Sequence, residues 1–212
     1  MITKEQVQKA IEQLKQNPKR KFSQSYDLII NLKNISIKQN PLDFFTTIPY
    51  PKKQVKIAAF VGIELSSQAE KSCDLVIQET DFSKYQDKKV SKKLAEEYDY
   101  FIAQANLMPK VAQNFGKSLG IKGKMPNPKL GCVIPPNANI SDLAKRLHST
   151  IRLVAKKATN LQCLVGKEDQ PDEEVIDNII AAYNATLKQV PNEIQNIKNV
   201  QLKLTMSKPV NL

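Results

Sequence analysis

Two kinds of strand pattern divide this chain and restrict the folds open to it. Near both ends, at residues 26–32 and 200–206, apolar and polar residues alternate, which is typical of strands with one buried and one wetted face. In the middle, residues 56–62, 74–77 and 100–103 are short, almost wholly apolar runs. Runs of that kind between helical segments indicate a parallel sheet covered on both faces.

These patterns predict a two-domain protein of mixed α/β and α+β class. Residues 1–60 and 150–212 would form a split α+β domain, and residues 61–149 an inserted α/β domain of Rossmann-like, parallel-sheet type. Within the split domain we expect the strands at 151–156 and 161–165 to be neighbours. The chain would cross between the domains twice, and because contacts between domains are usually modest, we expect the crossings to act as a hinge.

The helical spacing of apolar residues predicts the helices. The first begins at a capping box formed by Thr3 and Gln6 and stops at Asn17-Pro18. The longest runs from about residue 171 to 190 and carries acidic residues in its first turn. The other helical segments lie near residues 67–71, 88–97, 107–119 and 141–149.

Charge is the first indication of a partner. The chain carries 32 lysines and arginines against 21 acidic residues, a formal net charge of +11 at pH 7. From residue 100 to 167 one acid, Asp142, stands against eleven basic residues. A basic stretch this long favours a polyanion, because each phosphate it neutralises releases counterions. A solvated lysine-rich surface is the other interpretation, so charge alone suggests nucleic acid without proving it.

Several classes of protein are disfavoured by what the sequence lacks. No apolar run is long enough to span a membrane, and the polar start lacks the apolar core of a signal peptide, so we expect a protein kept in the cytoplasm. The cysteines Cys73, Cys132 and Cys163 are far apart without CxxC pairing, which favours structural thiols. With His148 as the one histidine, we expect no metal, cofactor or enzymatic activity.

The most unusual segment is rich in glycine, lysine and proline and spans residues 116–129. It does not form a Walker A motif, because Val111 stands where the first glycine belongs and Met125 follows Gly123-Lys124. We expect instead a mobile loop whose backbone approaches an RNA sugar-phosphate chain. An α/β enzyme that uses a nucleotide and a general nucleic-acid chaperone are the competing interpretations.

The ends of the alternating strands offer surfaces suited to RNA. Lys21, Phe22 and the serines after them combine a cation, an aromatic ring and hydroxyls that bond to sugars and phosphates. Residues 205–209, after the last strand, offer a similar surface. Spacing alone, however, favours Phe22 as the first residue of a buried core.

Four segments also carry a family resemblance. They are residues 21–26 (Lys-Phe-Ser-Gln-Ser-Tyr), 100–109 (Tyr-Phe-Ile-Ala-Gln-Ala-Asn-Leu-Met-Pro), 120–128 (Gly-Ile-Lys-Gly-Lys-Met-Pro-Asn-Pro) and 204–206 (Leu-Thr-Met). Over essentially the whole chain, the sequence resembles the universal L-one family of large-subunit ribosomal proteins, in its archaeal form. That family belongs to the mobile stalk beside the tRNA exit site.

The resemblance implies which residues contact RNA. In the split domain they are Lys21, Phe22, Ser25, Gly166, Lys167, Thr205, Met206, Ser207 and Lys208. In the inserted domain a secondary surface facing rRNA and tRNA would comprise Lys117, Lys122, Gly123, Lys124 and Asn127. The chain departs from the family pattern at two places. Ser207 stands where glycine is usual, which predicts a looser or altered turn, and Ile121-Lys122 replaces Pro-Arg.

The resemblance also implies the function and the partners. The protein would be a structural constituent of the large subunit that binds the rRNA stalk and assists release of deacylated tRNA from the exit site. It would also repress translation by binding its own mRNA, since a surface that reads RNA shape serves both RNAs. Outside the ribosome we expect a monomer without a membrane partner.

Overall fold

The computed structural model of this protein describes residues 2–18, 20–37, 40–52, 55–85, 87–136, 138–156 and 158–212. Its α-helices within those ranges are α1 (Lys4–Lys15), α2 (Ile63–Ser72), α3 (Lys88–Glu97), α4 (Met108–Lys122), α5 (Ile140–His148) and α6 (Asp172–Gln189). Its strands are β1 (Ser25–Leu32), β2 (Leu42–Thr47), β3 (Ile57–Val61), β4 (Leu75–Gln78), β5 (Tyr100–Gln104), β6 (Val133–Ile134), β7 (Thr150–Ala155), β8 (Asn160–Lys167), β9 (Ile197–Leu204) and β10 (Val210–Asn211). Among the described residues, no helix combines the length and apolar character that crossing a membrane requires.

The chain divides into two compact units, Met1–Lys53 with Ser149–Leu212 and Gln54–His148. The split unit contains the antiparallel strands, and the inserted unit contains the parallel sheet, so the predicted fold class is confirmed. The predicted boundary at residue 60 falls inside β3, all of which belongs to the inserted unit. β3 pairs with β4 on one side and β5 on the other, so it cannot be divided between units. The hinge stays a prediction.

In the split unit, four strands form an antiparallel sheet in the order β10-β9-β1-β8. β1 shows the alternating burial that its sequence predicts: Tyr26, Leu28 and Ile30 are buried, and the residues between them are partly exposed. Apolar residues of α1 and α6 pack against the buried face. The predicted capping box is present, because Thr3 and Gln6 each bond to the other's backbone at the start of α1.

The strands β2 and β7 form a separate antiparallel pair in the same unit. The predicted pairing of β7 with β8 is therefore wrong, because β8 pairs with β1, from Ser25 opposite Lys167 to Asn31 opposite Asn160. The alternating pattern shows which face of a strand is buried. It does not show which strand lies beside it, because that choice depends on contacts distant in sequence.

An ion cluster joins β2 to β7. Arg152 donates two hydrogen bonds to Asp43, from Nε to Oδ1 at 2.8 Å and from Nη2 to Oδ2 at 2.7 Å. Lys156 Nζ lies 2.8 Å from the same Oδ2, and the Arg152 guanidinium lies 5.5 Å from the ring centre of Phe45. This bidentate, partly shielded arrangement is stronger than an isolated surface ion pair.

In the inserted unit, the strands are parallel and lie in the order β4-β3-β5-β6. β3 is buried throughout, as its continuous apolar sequence predicts. α2 packs with α5, and α3 packs with α4. Phe60 of β3 lies at the centre of an aromatic cluster, 5.8 Å from Phe101 and 4.8 Å from Phe115 between ring centres.

A buried amide ties α6 to the chain that leaves β2. Asn178, which is completely buried, accepts a hydrogen bond from the Tyr50 backbone N–H at 2.9 Å. Its amide nitrogen donates to the carbonyls of Tyr50 at 2.7 Å and Val165 at 2.8 Å. One side chain therefore bonds to three backbone groups from two distant segments, although the Tyr50 carbonyl also accepts from Gln170 Nε2 at 3.3 Å.

We expect Asn178→Ala to lower the free energy of unfolding by about 2–4 kcal/mol, because it removes the hydrogen bonds to the Tyr50 N–H and to the Val165 carbonyl and opens a small cavity. Denaturant unfolding measures this change. The control is Asn184→Ala, on the exposed side of the same helix, which should cost less than about 0.5 kcal/mol. Similar losses in both variants would show that the bonds to Tyr50 and Val165 are not what the fold depends on.

A pH dependence follows from the ion cluster. The hydrogen bond from Arg152, followed by that from Lys156, lowers the pKa of Asp43 to about 2 against the opposing effect of partial burial. Because this folded pKa lies below the unfolded value of about 3.9, the carboxylate stabilises the fold above about pH 4, and the stabilisation is lost as the pH falls through 2.

We therefore expect Asp43→Asn to lower the free energy of unfolding by about 1–2 kcal/mol at pH 7 and to have a shrinking effect between pH 4 and pH 2. Urea unfolding at a series of pH values measures both. Glu12→Gln, at an exposed carboxylate of α1, is the control and should leave the profile unchanged. An Asp43→Asn penalty that persists undiminished at pH 2 would contradict the assignment.

Candidate nucleic-acid interface

Strand direction brings three distant segments to one end of the antiparallel sheet. β1 runs antiparallel to both β8 and β9, so Ser25 lies opposite Lys167 and Tyr26 lies opposite Leu204. We call residues 21–25, 166–168 and 205–208 the strand-end surface. The sequence-predicted RNA contacts of the split unit all lie on these segments, namely Lys21, Phe22, Ser25, Gly166, Lys167, Thr205, Met206, Ser207 and Lys208.

Thr205 continues the pairing of β9 with β1 beyond the end of the strand. Its backbone N–H donates to the Ser25 carbonyl at 3.1 Å, and its hydroxyl Oγ1 accepts from the Ser25 N–H at 3.1 Å. Thr205 is nevertheless exposed. Its side chain therefore holds the two strand ends together and remains accessible to a ligand.

Gln24 links all three segments, and the sequence interpretation gave it no role. It is only 2 % exposed, and its Oε1 accepts from the Met206 N–H at 3.2 Å. Its carbonyl accepts from the Glu168 N–H at 2.8 Å. The sequence could have indicated this role. Gln24 lies two and four residues before the buried Tyr26 and Leu28, so the alternation places it on the buried face of the sheet, where a polar side chain needs a hydrogen-bond partner.

Two large apolar side chains are exposed on this surface. Phe22 is 52 % exposed and Met206 is 60 % exposed, so the expectation that Phe22 begins the core is wrong. Lys21 and Lys208, close by in sequence, are exposed as well. An aromatic ring and a thioether contact bases and sugars, while ammonium groups attract phosphates, so the combination suits RNA.

A cavity of about 570 Å³ opens beside Phe22. Its lining residues are Lys15, Arg20, Lys21, Phe22, Ser23, Glu168 and Asp169. The ammonium of Lys15 is paired with Asp172 at 2.7 Å, so Arg20 and Lys21 are the cations better placed to meet a phosphate. Glu168 and Asp169 repel phosphates and accept hydrogen bonds from base amino groups or ribose hydroxyls. The cavity therefore suits a nucleotide held by both its phosphate and its base or sugar.

Gly166 is buried and has a packing role. A Cβ atom at this position would lie 2.9 Å from Oε1 of Gln170 and 2.9 Å from Cγ2 of Val175. Glycine therefore lets the start of α6 approach the end of β8. The next residue, Lys167, donates its backbone N–H to the same Gln170 Oε1 at 2.9 Å. An RNA contact at Gly166 stays a prediction.

The inserted unit changes the interpretation of the glycine- and lysine-rich segment. The predicted mobile loop at 116–129 is partly wrong, because its first seven residues form the last turns of α4. The helix continues through Gly116 and Gly120 because Val111, Phe115 and Leu119 recur four residues apart and are buried, which outweighs the modest cost of each glycine. The helix ends at Gly123, whose φ of 65° is left-handed.

Most residues predicted for the secondary surface already have partners in this unit. Lys122 Nζ lies 3.3 Å from Glu96, and Lys124 Nζ donates to the Tyr98 carbonyl at 2.7 Å. Asn127 accepts from the Lys129 N–H at 2.9 Å and caps a short 3-10 turn. Lys117 is exposed on α4. The segment is thus a structured helix end and turn that still presents positive charge.

A second cavity, of about 500 Å³, lies at the carboxyl ends of β3, β4 and β5, where α/β proteins commonly bind ligands. Its lining includes the carboxylates of Glu64 and Glu79 and the carboxamides of Gln78 and Gln104. Lys110 forms an ion pair with Glu79 and offsets its charge, so Glu64 is the lining carboxylate that chiefly disfavours the phosphates of a nucleotide. In the described part of the chain, no cluster of His, Cys, Asp or Glu is placed to hold a metal.

The cysteines show no sign of nucleophilic activation. Burial raises the pKa of Cys73 and of Cys132 to about 11, and it raises the pKa of Cys163 to about 12. A thiol with such a pKa is neutral at physiological pH and is a poor nucleophile. This agrees with their interpretation as structural thiols.

Comparison with known proteins identifies the family. The model of the ribosomal protein L1p/L10e family matches residues 14–208. The large ribosomal subunit protein uL1 of Nanoarchaeum equitans is 39% identical over 215 residues, covering 99% of each chain. The uL1 proteins of Hyperthermus butylicus and Methanothermococcus thermolithotrophicus are each 36% identical, covering 99% and 100% of this chain and 96% and 99% of their own. The archaeal-type resemblance seen in the sequence is confirmed, and the chain belongs to the ribosomal protein L1p/L10e family.

Proposed function

We propose that this protein is a structural constituent of the large ribosomal subunit and binds large-subunit rRNA through the strand-end surface. Membership of a ribosomal protein family supports the assignment to the subunit. The assignment of the binding site depends on one observation: Phe22 and Met206 are exposed at the end of the sheet where three segments are held together. The protein acts on the cytoplasmic ribosome and catalyses no reaction.

The parts of the surface contribute to binding in different ways. Lys21 and Lys208 attract phosphates regardless of sequence. Phe22 and Met206 add apolar contact with bases or sugars that only a suitably folded RNA can match. Gln24 holds the backbone in place before RNA arrives, which reduces the entropy lost on binding. This combination favours one folded RNA over RNA in general.

The specific role in translation is taken from the family resemblance. We propose that the rRNA target is the mobile stalk and that hinge motion assists release of deacylated tRNA from the exit site. Binding of a similar fold in its own mRNA would repress translation. The protein is a monomer outside the ribosome and has no membrane partner. The secondary surface toward rRNA and tRNA would consist of Lys117, Lys122, Gly123, Lys124 and Asn127.

Two other functions predict different behaviour. A nucleotide-using enzyme predicts saturable nucleotide binding, which the Glu64 carboxylate in the lining of the second cavity disfavours. A general nucleic-acid chaperone predicts equal affinity for all RNAs and a steep loss of affinity with salt. The ribosomal function predicts selectivity that survives physiological salt.

We expect the protein to bind an rRNA stalk fragment about a thousandfold more tightly than a scrambled RNA of equal length at physiological salt. The reason is that specific contacts add to an electrostatic attraction that both RNAs share. Titrations of both RNAs at low and physiological salt measure the ratio. Equal affinities that fall together with salt would leave a non-specific basic protein.

We expect Met206→Ala to weaken stalk binding about tenfold and to leave binding of the scrambled RNA nearly unchanged, because it removes a contact that only the folded target makes. Ile194→Ala is the matched control, since Ile194 is an exposed apolar residue outside the strand-end surface. Lys122→Ala should weaken both RNAs by the same small factor. Unchanged stalk affinity in Met206→Ala would show that the site is elsewhere.

A further inference from the structure

Ser207 lies where β9 loses its partner on one side. β10 pairs with β9 only at Val210 opposite Leu202 and Asn211 opposite Gln201. On its other side β9 continues to pair with β1, with Leu204 opposite Tyr26. The backbone N–H of Leu204 therefore needs a partner that the β10 ladder does not supply.

The Ser207 side chain supplies that partner. Its Oγ accepts the hydrogen bond of the Leu204 N–H at 2.8 Å. The Ser207 N–H donates in return to the Leu204 carbonyl at 3.1 Å. The hydroxyl proton has two acceptors within reach, the carbonyls of Lys208 at 3.0 Å and Leu204 at 3.3 Å. The turn from 204 to 207 is thus closed by a backbone bond and by a side-chain bond.

The conformation of Ser207 is not strained. It is not among the described residues with positive φ, so this turn does not require glycine at the position. The predicted loosening of the turn is therefore offset by a hydrogen bond that glycine could not make. Ser207 is also only partly buried, so its side chain can be altered without opening a core cavity.

We propose that Ser207 is a positioning residue for RNA binding, whose hydroxyl holds Thr205 and Met206 in the conformation that contacts RNA. The inference rests on the proposed RNA-binding function and names a residue that tunes it. The physical reason is preorganisation: a turn that is already ordered loses less conformational entropy when RNA binds. Gln24 restrains the same turn from the side of β1, through the Met206 N–H.

The test uses the full chain with Ser207→Ala, Ser207→Thr and Ser36→Ala. Ser36 is an exposed serine beyond the far end of β1, so its replacement removes a hydroxyl without touching the turn. Two quantities are measured for each protein: affinity for the rRNA stalk fragment and for scrambled RNA, and hydrogen exchange of the Leu204 amide in the free protein. Exchange separates positioning from direct contact, because a serine that merely touches RNA does not protect an amide when RNA is absent.

We expect Ser207→Ala to weaken stalk binding about fivefold and to speed exchange of the Leu204 amide by about the same factor, the effect of losing one ordinary hydrogen bond. Scrambled RNA should bind as before. Ser207→Thr keeps the hydroxyl and should restore both quantities, and Ser36→Ala should change neither.

Two results would overturn the inference. Unchanged Leu204 exchange in Ser207→Ala would mean that the hydroxyl does not order the turn. Faster exchange with unchanged stalk affinity would mean that order in the turn does not matter for binding. Failure of the proposed function looks different, because the unsubstituted protein would then bind stalk and scrambled RNA equally.

Discussion

The antiparallel pairing of β1 with both β8 and β9 is the constraint on which the strand-end surface depends. It places the first residues of β1 beside the last residues of two strands that are far away in sequence. A parallel arrangement would have put these segments at opposite ends of the sheet. Because backbone hydrogen bonds fix this register, the surface is assembled by the fold of the sheet itself.

Buried side-chain amides extend this order beyond the strands. Gln24 holds the Met206 backbone, Gln170 holds the Lys167 backbone, and Asn178 holds Tyr50 and Val165. In each case a carboxamide bonds to a backbone group that the sheet ladder leaves without a partner. A backbone N–H or C=O group is costly to bury without a hydrogen-bond partner. These side chains supply that partner and so keep the irregular segments around the strands ordered. Ser207 does the same for Leu204 with a hydroxyl.

Exposure by itself does not single out the proposed site. Ile63 is 82 % exposed and Ile121 is 86 % exposed, both more than Phe22 or Met206. Single exposed apolar residues are common on protein surfaces and need no explanation. Phe22 and Met206 differ because they lie where three chain segments meet, with the Met206 backbone restrained by Gln24 and with lysines close by in sequence. The combination of restraint, apolar contact and positive charge is what suits a folded RNA.

Local sequence patterns determined much of this protein: the burial of Tyr26, Leu28 and Ile30, the start of α1 at Thr3, and the parallel character of β3. Each of these features depends on which of a few neighbouring side chains face water and which face the core. The spacing of apolar residues along the sequence shows this directly. The family motifs likewise indicated the residues of the strand-end surface. Only the tertiary structure decided that β8 pairs with β1 and not with β7, that α4 continues through two glycines, that Phe22 is exposed, and that Gln24 and Ser207 hold the turn. Each of these depends on a partner distant in sequence or on a turn in three dimensions, and no local pattern reports that information.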